Sequence, residues 1–122
     1  MRGILIVDDE PSVLDVLAGL LTDVGYAVQT APDGRAALDL IAADLPDLLI
    51  TDVMMPRLDG WGLVATVREH DPMLPVIVIS AVDPKAGRRD VLGVDHTIFL
   101  RKPFDIDTLL TSVERLIGSA SI

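Results

Sequence analysis

The chain contains no cysteine among its 122 residues. Disulfides, thiolate metal sites and a cysteine nucleophile are therefore excluded. Long apolar runs are missing too: no stretch approaches the roughly 18 continuous apolar residues that a membrane span requires. The N-terminus, "MRGILIVDDE", turns acidic after a short apolar run, so it does not read as a signal peptide. Positive charge is scarce, with ten Lys and Arg against nineteen Asp and Glu, a formal charge of −9. A field of that sign repels nucleic acid and argues against DNA binding by this chain alone. Internal repeats, low-complexity tracts and linkers are absent apart from a small polar "GSAS" near the end. What remains is half hydrophobic, enough to bury a core in one domain, expected over residues 1–122.

Short β-like runs alternate with helical ones. "GILIV" (3–7) has strand length, and Pro11 then opens a helix whose expected inner face is Val13, Val16, Leu17, Leu20, Leu21 and Val24. Gly25 stands where a helix would end. "YAVQTA" (26–31) reads as a second strand, and Asp33 as the cap of a helix through Ala36, Ala37, Leu40 and Ile41. "DLLIT" (47–51) is the third strand, followed by a helix over 60–70 with Leu63, Val64 and Val67 inward. "VIVIS" (76–80) and "HTIFL" (96–100) are the fourth and fifth strands, and Asp105 caps a helix bearing Leu109, Leu110, Val113, Leu116 and Ile117. The fourth helix, expected within 81–94, is interrupted by Pro84, Gly87 and Gly93 and should be short or late-starting.

Strands alternating with helices imply parallel pairing with right-handed crossovers. Runs apolar on both faces imply helices on both sides of the sheet. The fold expected is a doubly wound, flavodoxin-like α/β sandwich with strand order 2-1-3-4-5.

In such sheets ligands sit outside the carboxyl ends of the strands. The first strand ends in Asp8 and Asp9, the third in Asp52, the fourth in Ser80, and the fifth runs on to Lys102. Clustered carboxylates repel one another unless a cation joins them. Hard oxygen donors without histidine or cysteine select Mg²⁺ or a similar ion. A carboxylate can also accept a phosphoryl group as an acyl phosphate. The reaction needs positive charge around the equatorial oxygens, which Lys102 and Mg²⁺ would supply, with a hydrogen bond from Ser80. Asp52, central in the strand order, would be the nucleophile. Each residue alone has a plainer use: Asp8 and Asp9 as caps before Pro11, Asp52 in a turn, Ser80 as a satisfied hydroxyl, Lys102 as solvated surface. Independent structural uses would not all select the carboxyl ends of the right strands.

In chain order, "ILIVDDEP", "LLITDVMMPRLDG", "VIVISA" and "FLRKPF" resemble the acidic-pair, phosphoacceptor, hydroxyl and lysine-proline motifs of response regulator receiver domains, the CheY-like family of two-component signalling. The resemblance covers nearly the whole chain. It implies a (βα)5 fold and phosphotransfer from a histidine kinase, or from a phosphotransfer protein, to make 4-aspartylphosphate at Asp52. It implies Mg²⁺ held by Asp9, Asp52 and the backbone carbonyl of Met54, with Asp8 acting through water. Lys102 would meet the phosphoryl group, and its bond to Pro103 would be cis. Ser80 and Phe99 would form the switch, reshaping the surface made by the fourth helix, fifth strand and fifth helix. Phe99 lacks the hydroxyl found in many relatives and can also be read as a plain core aromatic.

The resemblance further implies a cytoplasmic protein, monomeric or dimerising on phosphorylation, with no membrane partner and an output partner that the motifs do not name. It would not be an enzyme beyond its own phosphorylation and slow dephosphorylation. It would be a stand-alone regulator or a piece of a larger one. Asp95-His96 stands where relatives carry Gly-Ala, which bears on the output surface rather than the acidic site; His96 reads as a loop histidine. Trp61 is expected to be partly exposed. Other readings are a degenerate receiver that only docks partners, or a phosphohydrolase working through an aspartyl phosphate. Haloacid-dehalogenase-like enzymes carry a second aspartate two residues after the nucleophile, and here that position is Met54. A nucleotide or flavin module would want a glycine-rich loop where "DDEPS" stands.

Overall fold

The computed structural model of the chain describes residues 3–53, 59–81 and 96–118. The elements are β1 (Gly3–Val7), α1 (Pro11–Val24), β2 (Ala27–Ala31), α2 (Gly34–Ala43), β3 (Leu48–Asp52), α3 (Gly60–His70), β4 (Val76–Ser80), β5 (Thr97–Arg101) and α4 (Ile106–Ile117). The helix expected within 81–94 falls almost wholly outside the described residues, so α4 denotes the last helix of the chain. All five strands pair in parallel, in the order β2-β1-β3-β4-β5.

Local chemistry sets the element ends. Pro11 supplies the fixed φ of a first helical turn, where its missing N–H is no loss. Gly25, at φ 120°, ends α1 in the left-handed region that glycine enters freely, its N–H reaching the carbonyls of Leu21 and Thr22. Asp33, Asp59 and Asp105 cap α2, α3 and α4, accepting from the N–H groups of Ala36, Gly62 and Thr108 at 2.8, 2.8 and 2.7 Å.

Alternation along the strands divides the core into two layers. Ile4, Ile6, Leu48, Ile50, Ile77 and Ile79 face Leu14, Leu17 and Leu21 of α1 and Leu109, Val113 and Ile117 of α4. Leu5, Val7, Leu49, Val76 and Val78 face the opposite way, toward Ala37 of α2 and Trp61, Leu63, Val64 and Val67 of α3. β3 and β4 are buried along their whole length, as central strands covered on both faces must be.

Three expectations need correction. The buried stripe of α1 is Leu14, Leu17 and Leu21, while Val16 and Val24 are 60% and 43% exposed. Residues 14, 17 and 21 share one helix face, and that face packs on the sheet while 16 and 24 turn away. Trp61 is buried rather than partly exposed, because the first turn of α3 lies against the end of β3. The third and fifth strands also run one residue later than expected, so that Asp52 and Arg101 are themselves strand residues.

Candidate functional site

The parallel sheet carries the ends of β1 and β3, adjacent strands, to the same edge. One oxygen from each of Asp8, Asp9 and Asp52 lies within 4.8 Å of the other two. Asp8 and Asp52 are buried and Asp9 is exposed, so the cluster opens to solvent on one side. The Lys102 ammonium reaches over it from beyond β5, 3.5 Å from Asp52 Oδ1 and 3.8 Å from Asp8 Oδ2. The backbone helps place this lysine: its N–H donates to the carbonyl of Ser80 at 2.7 Å. Its bond to Pro103 is cis. Asp8 is positioned from its own loop, with Oδ1 accepting the Glu10 N–H at 2.9 Å.

The electrostatics follow from this crowding. Burial pushes the Asp52 carboxyl above its ordinary value, and the charge of Asp9 adds to the push. Lys102 and the Val53 N–H pull it back. Asp8 is also raised, first by burial and then by the charges of Asp52 and Asp9, against the Glu10 N–H and Lys102. Three carboxylates facing one ammonium leave two negative charges in surplus when all are ionised. That surplus, on hard oxygen donors with neither histidine nor cysteine among them, suits a divalent ion of the Mg²⁺ kind.

The other residues singled out from the sequence lie around this cluster or away from it. Ser80 ends β4, buried, beside β3 and level with Arg101. Phe99 is half-buried on β5, level with Val78, and packs against the layer under α2 and α3. It is no part of the acidic cluster. His96 stands at the opposite edge of the sheet, its Nε2 2.9 Å from the Pro72 carbonyl, a structural use that fits the loop reading. Met54, and all of residues 82–95, lie outside the described residues. Two features were not read from the sequence. One is an apolar cleft of about 680 Å³ beside Lys102, lined by Val13, Val16, Leu17, Ile79, Pro103 and Phe104, so that Val16 lies in its wall rather than in the core. The other is the close seating of Gly60 on the Asp52 backbone, where a methyl group would overlap the Asp52 carbonyl oxygen. The glycine after Asp59 was the available signal.

An acidic pocket at the carboxyl edge of a 2-1-3-4-5 sheet, faced by one lysine, defines a class of signalling domain. The response regulator receiver domain family matches residues 4–114, and the chain belongs to that family of two-component signalling proteins. It is 42% identical over 114 residues, 93% of its length, to the response regulator MprA of Mycolicibacterium vanbaalenii, and spans 49% of that protein. The chain thus spans about half the length of the curated relatives it matches. Among solved structures it is similar to the chemotaxis protein CheY4 of Vibrio cholerae, with TM-score 0.86 and 33% identity over 95% of this chain and 98% of that one. It is also similar to response regulator TrrA of Thermotoga maritima, solved in complex with Mg²⁺-BeF, with TM-score 0.84 and 29% identity over 95% and 99% of the two chains.

Proposed function

We propose that this chain, as one receiver unit over residues 1–122, takes a phosphoryl group from a phosphohistidine donor onto Asp52. The observation that carries the reading is the Lys102 ammonium 3.5 Å from Asp52 Oδ1 in a pocket shared with two further carboxylates. In the reaction an Asp52 carboxylate oxygen attacks phosphorus, the bond from phosphorus to the donor imidazole nitrogen breaks, and that nitrogen leaves with the electron pair. The product is 4-aspartylphosphate.

Lys102 faces the incoming charge on the phosphoryl oxygens, and the Ser80 hydroxyl donates to one of them. Asp8, Asp9 and Asp52, with the Met54 carbonyl, would hold Mg²⁺. When bound, the ion neutralises the carboxylates and the transferring oxygens. The structure of TrrA with Mg²⁺-BeF supports that reading for a relative of the same fold.

Phosphorylation then biases Ser80 and Phe99 and, through them, the output surface expected from the fourth helix within 81–94, β5 and the last helix, α4. The donor is a histidine kinase or a phosphotransfer protein, and the setting is cytoplasmic. Among the described residues no helix is long and apolar enough to cross a membrane. Turnover is confined to the chain's own phosphorylation and dephosphorylation.

Acetyl phosphate with Mg²⁺ should add about 80 Da to the wild type, mapped to Asp52, and nothing to Asp52→Asn. Identical spectra for the two proteins would reject the reading.

A further inference from the structure

The backbone just behind Asp52 is held from three sides. The Val53 N–H donates to the Ile79 carbonyl of β4 at 3.1 Å, and the Val53 carbonyl accepts the Gly60 N–H at 3.0 Å. The Asp52 carbonyl accepts the buried Thr51 hydroxyl at 2.9 Å. The Cα of Gly60 sits close against that carbonyl. A Cβ there would overlap the Asp52 oxygen and lie 2.9 Å from the Val53 Cα. α3 cannot easily retreat, because Trp61, Leu63, Val64 and Val67 bury it against the sheet. Any side chain at 60 would therefore displace the Asp52–Val53 peptide, and with it the direction of the Asp52 carboxylate.

We propose that Gly60 is a positioning residue for the acceptor: its bare Cα lets the first turn of α3 clamp the Asp52 backbone and so aim the Asp52 carboxylate. The inference rests on the reading of Asp52 as the phosphoryl acceptor and adds the residue that aims it. Clearing the overlap needs a shift on the order of 1 Å, and misplacement of that size costs a positioned reaction on the order of 10²-fold.

The test compares wild type, Gly60→Ala and a destabilised control, Val64→Ala, whose side chain packs in the same layer one helical turn beyond Gly60. Each full chain is incubated with acetyl phosphate and saturating Mg²⁺ well below the lowest of the three melting midpoints. An Asp52 oxygen attacks phosphorus, the acyl phosphate P–O bond breaks, and acetate leaves. The Gly60→Ala adduct should form about 10- to 100-fold more slowly than that of wild type, while Val64→Ala stays near the wild-type rate. Equal rates for Gly60→Ala and Val64→Ala would overturn the inference. Should Gly60→Ala not fold, Thr51→Val loosens the same carbonyl: it should react several-fold slower, with Thr51→Ser restoring the rate. A Thr51→Val rate equal to wild type would then overturn it. No adduct on wild type would strike down the acceptor reading itself, and this inference with it.

Discussion

Replacing Asp52 by Asn should stabilise the metal-free protein, even though it deletes an ion pair. At an effective dielectric of about 20, the 3.5 Å contact between Lys102 and Asp52 is worth about 4.7 kcal/mol. With 4.8 Å as the separation, two of the carboxylates repel by about 3.5 kcal/mol on the same scale. Asn at 52 removes two such repulsions and one attraction, a gain of about 2 kcal/mol before screening. Asp9 is exposed and the Lys102 side chain is 28% exposed, which trims the gain to about 1 kcal/mol. Relief of the Asp52 burial penalty acts in the same direction. For a chain of this length the melting midpoint should rise by about 3–6 °C.

The pH dependence carries the same sign. The Asp52 carboxyl is raised in the fold above its ordinary 3.8, so between those two values the native state binds more protons than the unfolded one. Its ionisation therefore subtracts stability as pH rises through that window, and subtracts nothing well below 3.8. The advantage of Asp52→Asn should accordingly be full at neutral pH and fade in acid. Calorimetry in EDTA, at neutral pH and near pH 3, measures both quantities. If the lysine contact outweighed the repulsions, losing one partner of a buried pair would instead cost about 3–5 kcal/mol. A lower midpoint for Asp52→Asn in EDTA would refute the reasoning.

The remaining expectations are simpler. Mg²⁺ at 100 times its dissociation constant should stabilise wild type by about 2.7 kcal/mol and Asp52→Asn by less; equal midpoints in EDTA and millimolar Mg²⁺ would count against an ion site. Leu109→Ala empties a fully buried position between α4 and the sheet and should cost about 2–5 kcal/mol in denaturant unfolding. Tyr26→Phe removes the hydroxyl that donates to the Gly118 carbonyl at 2.9 Å. It should cost about 1 kcal/mol, read as a shifted urea midpoint with unchanged slope.

The parallel pairing followed from the alternation of strands with helices. Periodicity and end signals were enough for the existence of the strands, though not for every strand end, and for the caps at Asp33 and Asp105, because these rest on local chemistry. The inward residues of α3 were legible for the same reason. The stripe of α1 was not, since Val13, Val16, Leu17, Leu20 and Leu21 also fit a helical spacing; which face meets the sheet is settled by tertiary packing, not by local spacing. Trp61 was misjudged because its burial depends on how α3 approaches β3, a tertiary contact set by Gly60. The acidic pocket could be anticipated from strand ends alone, as topology delivers Asp8, Asp9, Asp52 and Lys102 to one edge. The apolar cleft beside it could not, because its walls come from α1, β4 and the turn after β5, which no linear spacing relates.

The division of the interior into two side-chain layers has a consequence for how the protein can vary. Among the described residues, each buried apolar strand residue belongs to one layer or the other, and the main chain of the sheet lies between the layers. Substitutions beneath α1 and α4 should therefore combine almost additively with those beneath α2 and α3. One flank is free to be recut for new companions while the other, which braces Asp52 from behind, stays as it is.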